Sequence, residues 1–513
     1  MELIETLAKA QVMADQQREA EGHVIAKRVL ANARRAPVEI FSIEDPAFNP
    51  PAKPKTKRQW TNATDLGNAE LLVRWHGENI RFVPAWGKWL IWDGRRWVID
   101  QTGKIRRVAR DTVRRLYKEA SGIDDEDLRK KLVKHALSSE SVNKQKAMID
   151  AAGFLEDIPV IPEQLDTNPW LLNCMNGTLD LRTGQLYQAK REDLITKLVP
   201  FNYSPAAKAP KWEAFLEQIF DGALRLVQYV KKGAGYCLTG LTEEHCLFVC
   251  HGTGRNGKST MLQTLANVIG PYYAQAAPAS TFMVKRDEGI PNDIARLRGS
   301  RYVIAAESEE NQRLAESLIK QLTGGDKITA RFLHQEFFEF TPQFKIWLMT
   351  NHKPTIRGTD TAIWERIKLI PFSVTIPEGE RDPRLMDKLA AEAEGILAWA
   401  VEGCLLWQKE RLGLPDEVRS ATNEYRMLMD TVGDFLATEC ENAPGSSTLI
   451  KDIYTAYSNW AEQSGERALT RKAFSQRLSE RGLATRRGTG GWFYVQDLQL
   501  VHSSGGLGGY PYK

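Results

Sequence analysis

A chain of 513 residues exceeds what one ordinary hydrophobic core organises, so several domains are expected. Hydrophobic residues at 42% and charged residues at 26% exclude a disordered or fibrous chain, and no apolar run is long enough to span a bilayer, so no membrane partner is expected. A formal charge of +4, from 69 basic against 65 acidic residues, excludes strong whole-chain attraction to nucleic acid; any such surface must be local.

Residues 1–60 read as a helical arm followed by a linker rich in Pro and Lys, a composition that does not pack. From residue 61 to 205 an N-terminal α+β domain is expected. A helix near Glu70 to Trp75 precedes short strands at Ile80 to Val83, Trp89 to Trp92 and Trp97 to Ile99. Trp86, Trp89, Trp92 and Trp97 suit either a stacking platform for bases or, the reading preferred, an aromatic core. Helices are expected over Arg106 to Leu137 and Ser139 to Ala152. The first carries Arg106, Arg107, Arg110, Arg114 and Arg115, which read as a solvated face before a DNA contact. Asn173 to Leu186 predicts a hairpin on the Asn176-Gly177 and Thr183-Gly184 turns.

Residues 206–375 form the expected nucleotide-hydrolysing core, led by a helix over Trp212 to Cys237. The buried strand Leu247 to Cys250 runs into Gly252-Thr253-Gly254-Arg255-Asn256-Gly257-Lys258-Ser259-Thr260, the G-x-x-x-x-G-K-[ST] spacing of a phosphate-binding loop. Its glycines let main-chain N–H groups wrap a polyphosphate. Lys258 reaches the terminal phosphates of ATP and the Ser259 hydroxyl takes Mg²⁺. A second strand, Arg301 to Ala306, ends at Glu307-Ser308-Glu309-Glu310: Glu307 is the expected metal partner, and either Glu309 or Glu310 could polarise the attacking water, although an exposed acidic turn fits those two equally well. A third strand, Lys345 to Thr350, ends at Asn351, placed as sensor residues are in AAA+ type ATPases. Arg366, ahead of Ile367 to Phe372, is the natural arginine finger. Alternation over Ile328 to Leu333 and Phe338 to Phe340 predicts a hairpin with His334 at its tip. The six cysteines, Cys174, Cys237, Cys246, Cys250, Cys404 and Cys440, are scattered and read as buried thiols of a reduced, cytoplasmic protein.

Taken in order, these parts resemble the superfamily 3 helicases, and within them the helicase modules of phage and plasmid primase-helicases and of the poxvirus helicase-primase. The likeness runs from about Asp65 to Phe372 and rests on the Trp-rich stretch, Asn176 to Gly184, Gly252 to Thr260, Glu307, Leu322-Thr-Gly-Gly-Asp326, Phe344 to Pro354 and Arg366 to Phe372. It implies a multidomain α/β protein around an AAA+ type P-loop ATPase. It also implies a ring, usually a hexamer, with ATP between subunits and Arg366 acting in trans. Finally, it implies a channel hairpin over Lys327 to Phe340, with Arg331 or His334 gripping single-stranded DNA, and 3′ to 5′ movement. Family members that prime carry a polymerase domain ahead of this module. Residues 1–60 are too short for one, so no priming activity is expected, and a primase or polymerase would be a separate partner.

Residues 376–445 are expected to be helical, over Arg384 to Glu410 and Asp416 to Glu441, with a break at Asn442 to Ser447. Residues 446–500 resemble a winged helix: helices over Leu449 to Gln463 and Thr470 to Arg481, then a Gly-rich hairpin ending in Trp492 to Val495. Eight basic residues stand against four acidic ones over 451–496, so duplex contact by Arg471, Lys472 and Arg477, with Arg486 and Arg487 on the wing, is expected ahead of protein docking. Residues 501–513 read as a disordered tail. The expected activity is an ATP-dependent helicase working on single-stranded and forked DNA in a phage or mobile element, hence in the cytoplasm of a bacterial host. The alternatives are an ATP-dependent origin-binding initiator or loader with little processive unwinding, or the helicase half of a primase-helicase.

Overall fold

The computed structural model describes residues 62–285, 292–306, 312–332, 336–357, 361–464, 468–483, 485–488 and 491–501. The arm and linker expected over 1–60, the tail, Glu307, Glu309, Glu310 and His334 lie outside the described residues.

The first region opens with α1 (Asp65–His76), whose N-terminus is capped by Thr64 Oγ1 accepting from the Gly67 N–H at 3.1 Å. Strands β1 (Ile80–Val83), β2 (Lys88–Trp92) and β3 (Trp97–Ile99) make an antiparallel meander. The single helix expected over Arg106 to Leu137 is two, α2 (Lys104–Ser121) and α3 (Glu126–Ser139), followed by α4 (Val142–Ala152). Gly122 ends α2, and Asp125 starts α3 by accepting from the Asp127 and Leu128 N–H groups. Ile105, Ala109 and Val113 bury one face of α2 against Leu72, Ile80 and Ile91, Leu116 is buried on the same helix, and the five arginines occupy the exposed face. Trp92 and Trp97 are buried edge to face, 5.6 Å apart, with Trp97 Nε1 donating to the Arg191 carbonyl. These tryptophans are core, and Trp86 alone of the four is exposed.

A second antiparallel sheet holds β4 (Leu171–Cys174), β5 (Gly177–Asp180) and β6 (Gln185–Tyr187). The first turn falls on Met175-Asn176 and not on Asn176-Gly177, because Gly177 already belongs to β5. Gly177 has φ +151°, and a Cβ there would lie 2.3 Å from the Tyr187 carbonyl oxygen.

The helix expected over Trp212 to Cys237 is also two, α5 (Pro210–Ile219) and α6 (Leu224–Leu238). They are parted at Asp221 and Gly222, both at positive φ. Then come β7 (Leu247–His251), α7 (Lys258–Ile269), β8 (Ala274–Pro278), the single turn α8 (Asn292–Ala295), β9 (Tyr302–Ala306), α9 (Glu316–Gly324), β10 (Ile328–Ala330), β11 (Phe338–Phe340), β12 (Lys345–Thr350), α10 (Thr361–Arg366) and β13 (Ile367–Pro371). Five of these strands form one parallel sheet in the order β13-β7-β12-β9-β8, and β10 pairs with β11 as the expected hairpin. Strands covered on both faces read as unbroken apolar runs, and those of β7, β9 and β12 are buried almost throughout. One face, carrying Phe248 and Trp347, packs on α6 and α7; the other packs on Ile319, Leu322, Ile363 and Trp364.

At the starting edge of this sheet, two buried cations meet the C-terminus of α6. Arg301 donates to the Leu238 carbonyl at 2.6 Å, and Lys345 Nζ donates to the Thr239, Leu241 and Gln343 carbonyls at 2.5, 3.2 and 3.1 Å. They occupy the end where the helix presents unpaired carbonyls and partial negative charge.

Beyond β13 the two expected helices are four: α11 (Leu385–Ala390), α12 (Ala393–Glu410), α13 (Asp416–Leu428) and α14 (Thr431–Glu439). Helix α12 crosses α6 at glycine contacts on each side. A Cβ on Gly235 would lie 2.0 Å from Cys404 N, and one on Gly403 2.1 Å from the Lys231 carbonyl oxygen. Helix α13 covers the outer strand: Thr422 Oγ1 accepts from the Leu369 N–H at 3.1 Å, and the buried Tyr425 hydroxyl donates to the Pro354 carbonyl.

The expected break at Asn442 to Ser447 is part of a strand, β14 (Cys440–Leu449). It pairs with β16 (Phe493–Leu500) across a register shift, held where the Gly445 N–H donates to Asp497 Oδ1 at 2.7 Å. Between them lie α15 (Ile450–Gln463), α16 (Arg471–Glu480) and β15 (Thr485–Arg487), around a core of Phe435, Ile453, Tyr457, Phe474 and Val495. Thr470 caps α16 as expected, accepting from the Ala473 N–H. All six cysteines are buried and unpaired, and no helix among the described residues is long and apolar enough to cross a membrane.

Candidate nucleotide site and nucleic-acid surfaces

The loop between β7 and α7 begins at the finishing edge of the parallel sheet, directly after His251. Gly254 and Gly257 have φ +107° and +81°, and Arg255 itself takes +54°. A side chain at Gly252 would strike Asn256 Nδ2 at 2.3 Å and the Phe372 carbonyl oxygen at 2.4 Å, so the backbone passes there only because Cβ is missing. The loop is also tied to β13 and the segment after it. The Phe372 N–H donates to the His251 carbonyl, Asn256 Nδ2 to the Phe372 carbonyl, and the Ile376 N–H to the Arg255 carbonyl.

Lys258 is 4% exposed, and its Nζ donates to the Gly252 carbonyl at 2.6 Å and to Asn256 Oδ1 at 3.1 Å. Burial lowers its pKa from the ordinary lysine value. The ammonium thus lies inside the curl of the loop, at the N-terminus of α7, where anions are favoured. Ser259, one residue on, is exposed at the Met349 thioether, 3.2 Å away. A positively charged curl with a serine hydroxyl at its rim fits a polyphosphate and a hard cation.

His251, which with Cys246 and Cys250 could suggest a metal site by sequence, ends β7 beside the loop. Its pKa is pushed down to about 4, by burial first and by the nearby Lys353 and Lys258 charges next, so the ring is uncharged at neutral pH. Asn351 is exposed and follows Thr350, the register partner of His251, so it shares the loop's edge of the sheet. Beside the loop is a cavity of about 660 Å³ that escaped sequence reading. Phe215, Ile376, Pro383, Leu385 and Met386 line it together with Gly257 and Thr260. Its residues come from α5, the loop and the segment through α11, and no local motif joins them.

Arg366 lies elsewhere. Ile367 pairs with Leu247 at the first rung, so Arg366 stands at the starting edge, about 15 Å below the loop for strands of this length. Its guanidinium donates to Thr323 Oγ1 at 3.2 Å and to the Ala362 carbonyl at 2.7 Å. The sheet therefore brings the loop and Asn351 together and keeps Arg366 apart from both.

On the hairpin, Lys327 is exposed just before β10, and Arg331 lies with its guanidinium 4.7 Å from the Phe337 ring, which is 59% exposed. In the C-terminal unit Arg471 and Lys472 are exposed on the first turn of α16, and Arg486 and Arg487 are exposed on β15 opposite Tyr494 and Phe493. Arg477 differs from its neighbours on α16: it is half-buried and lines a cleft with Arg357 and Arg426. No group of His, Cys, Asp or Glu suited to a metal ion occurs among the described residues.

Residues 69–221 match the family described as D5 N terminal like, and residues 250–366 match a family of unknown function, DUF5906. "Putative helicase L207/L206" of Acanthamoeba polyphaga mimivirus is 27% identical over 418 residues, 73% of this chain and 43% of that protein. "Putative helicase 022R" of Frog virus 3 is 27% identical over 290 residues, 51% of this chain and 29% of that one. "Putative primase C962R" of African swine fever virus is 25% identical over 346 residues, 62% of this chain and 36% of the relative. The relatives are viral proteins whose names carry helicase or primase. The chain spans less than half the length of each of these three. Among solved structures, the apo C-terminal region of NrS-1 aligns over 85% of this chain and 99% of its own with 11% identity and a TM-score of 0.48, too distant to carry an argument.

Proposed function

We propose that this chain is an AAA+ type, ring-forming ATPase that moves along DNA during replication, with the Gly252 to Thr260 loop as its phosphate cradle. The observation that carries the reading is the buried Lys258 ammonium inside a glycine-built curl at a helix N-terminus. The cavity at Phe215, Ile376 and Met386 is the natural place for the base of ATP, since it adjoins Gly257 and Thr260 and sets apolar walls beside polar side chains such as Lys211, Gln218, Glu380 and Asp382.

In this reading Lys258 gives up its bonds to Gly252 O and Asn256 Oδ1 and donates to the phosphates instead, and Ser259 with Glu307 would hold Mg²⁺, which would neutralise charge on the phosphate oxygens. Glu309 or Glu310 orients the water, and Asn351 bridges water and γ-phosphate from the same edge of the sheet. Arg366 cannot serve its own loop from the opposite edge, which supports its use in trans on a neighbouring subunit. Lys327, Arg331 and His334 on the hairpin then contact the backbone of single-stranded DNA, with 3′ to 5′ movement. The C-terminal unit works as a winged-helix-like module, touching duplex through Arg471, Lys472, Arg486 and Arg487. A separate primase or polymerase supplies synthesis.

Strand displacement on a forked DNA with ATP tests the whole. Unwinding that requires hydrolysis is the expected result. Hydrolysis by the assembled protein without displacement would leave an origin-binding loader in its place.

A further inference from the structure

The cleft that takes Arg477 away from the outer face of α16 belongs to none of the sites above. It encloses about 650 Å³ and draws its walls from three lengths of chain: Arg357 after β12, Arg426 and Asp430 around the end of α13, and Arg477, Glu480 and Arg481 at the end of α16. We propose that it binds the phosphodiester backbone of a DNA strand and so bridges the central sheet and the C-terminal unit.

Four guanidinium groups face three carboxylates, each already engaged: Asp430 caps α14 through the Gly433 N–H and pairs with Arg481, Glu480 accepts from Gln476, and Glu316 accepts from the Arg357 backbone N–H while its charge reaches Arg477. Among the described residues Arg357, Arg426 and Arg477 form no ion pair. Ile356, Trp364 and Met429 floor the cleft with apolar atoms, which raises the cost of gathering like charges there and strengthens their hold on an anion. Planar, multiply donating guanidinium groups suit phosphate oxygens, and three independent forks suit successive phosphates.

Recognition is of the backbone and not of bases. The one aromatic ring in the lining, Trp364, is buried and packed edge-on against Tyr425 at 5.3 Å, so no ring face is offered for stacking. The cleft also has Arg357 on the segment that leaves Asn351, so a bound strand would touch the loop expected to sense the γ-phosphate.

This inference rests on the DNA-binding reading above, and one experiment separates the two. The full chain and an Arg357→Gln/Arg426→Gln double variant are titrated with a labelled oligo-dT and oligo-dA across a salt series, with thermal unfolding as a folding control. Two lost phosphate contacts lower the slope of log K against log salt by about 1.4, equally for both oligonucleotides. A double variant that melts normally and keeps the wild-type slope overturns the cleft while leaving the DNA reading intact; wild-type protein that binds neither oligonucleotide overturns both. A loss confined to one base identity also overturns it. Arg426→Glu alone, altering an exposed side chain, should weaken binding more than Arg426→Gln, and equality of the two counts against the cleft.

Discussion

Arg366 and Lys258 stand at opposite edges of one five-stranded sheet, the first beside the rung that pairs Ile367 with Leu247, the second beyond the rung that pairs Pro371 with His251. A single subunit therefore holds both groups without being able to bring them to one phosphate. Arg366→Ala should lower ATP turnover by roughly 10³ while leaving nucleotide binding near wild type. Mixing Arg366→Ala with Lys258→Ala subunits should recover part of the activity. Titrating one variant into the other under turnover conditions checks this, and a flat response would confine Arg366 to its contacts with Thr323 and Ala362.

Lys258→Ala removes both hydrogen bonds that the ammonium gives to the loop, to Gly252 O and to Asn256. Hydrolysis should disappear, as measured by phosphate release. Turnover at the wild-type rate would end the phosphate-loop assignment.

Met386→Ala opens the apolar wall beside Gly257 and Thr260. Removing a contact made equally before and during the reaction raises KM with kcat kept, and about tenfold is expected for one such side chain. Steady-state kinetics with ATP and with tripolyphosphate distinguish the cases, since only ATP carries a base.

Gly403→Ala would press a methyl group onto the Lys231 carbonyl where α6 and α12 cross. Backbone cannot yield as a side-chain end does, so a loss of about 1–3 kcal/mol or more is expected in denaturant unfolding. Unchanged stability would mean that the two helices can separate at no cost.

Lys345 has its pKa pushed down to about 7 by burial, against an ordinary lysine value near 10.4. From pH 7 to about 10 the unfolded chain binds more protons at this residue than the folded one, so its contribution to stability rises with pH. Relative to Lys345→Met, the wild type should gain stability between pH 7 and 9.5. Melting both proteins at those two values measures the difference, and a gap that stays constant argues against the shift.

The parts that local chemistry dictates were legible. The Gly252 to Thr260 loop, the Thr470 cap and the Ile328 to Phe340 hairpin each follow from spacing that a few neighbouring residues enforce. Helix divisions at Gly122 and at Asp221-Gly222 were not, because apolar periodicity continues across them while a left-handed or capping residue turns the chain. Strand β14 reads as a loop by composition. Its Pro and Gly are tolerated because a bulge and Asp497 absorb the missing regularity, and that partner lies far along the chain. The base-side cavity, the cations under α6 and the inward turn of Arg477 come from residues far apart in sequence, where no periodicity points.

Helix α13 has one further consequence. Thr422 and Tyr425 fasten it to the outer strand of the sheet and to Pro354, and a few residues later Asp430 opens the C-terminal unit. A helix fastened at both Thr422 and Tyr425 fixes the direction from which the chain enters that unit at Asp430.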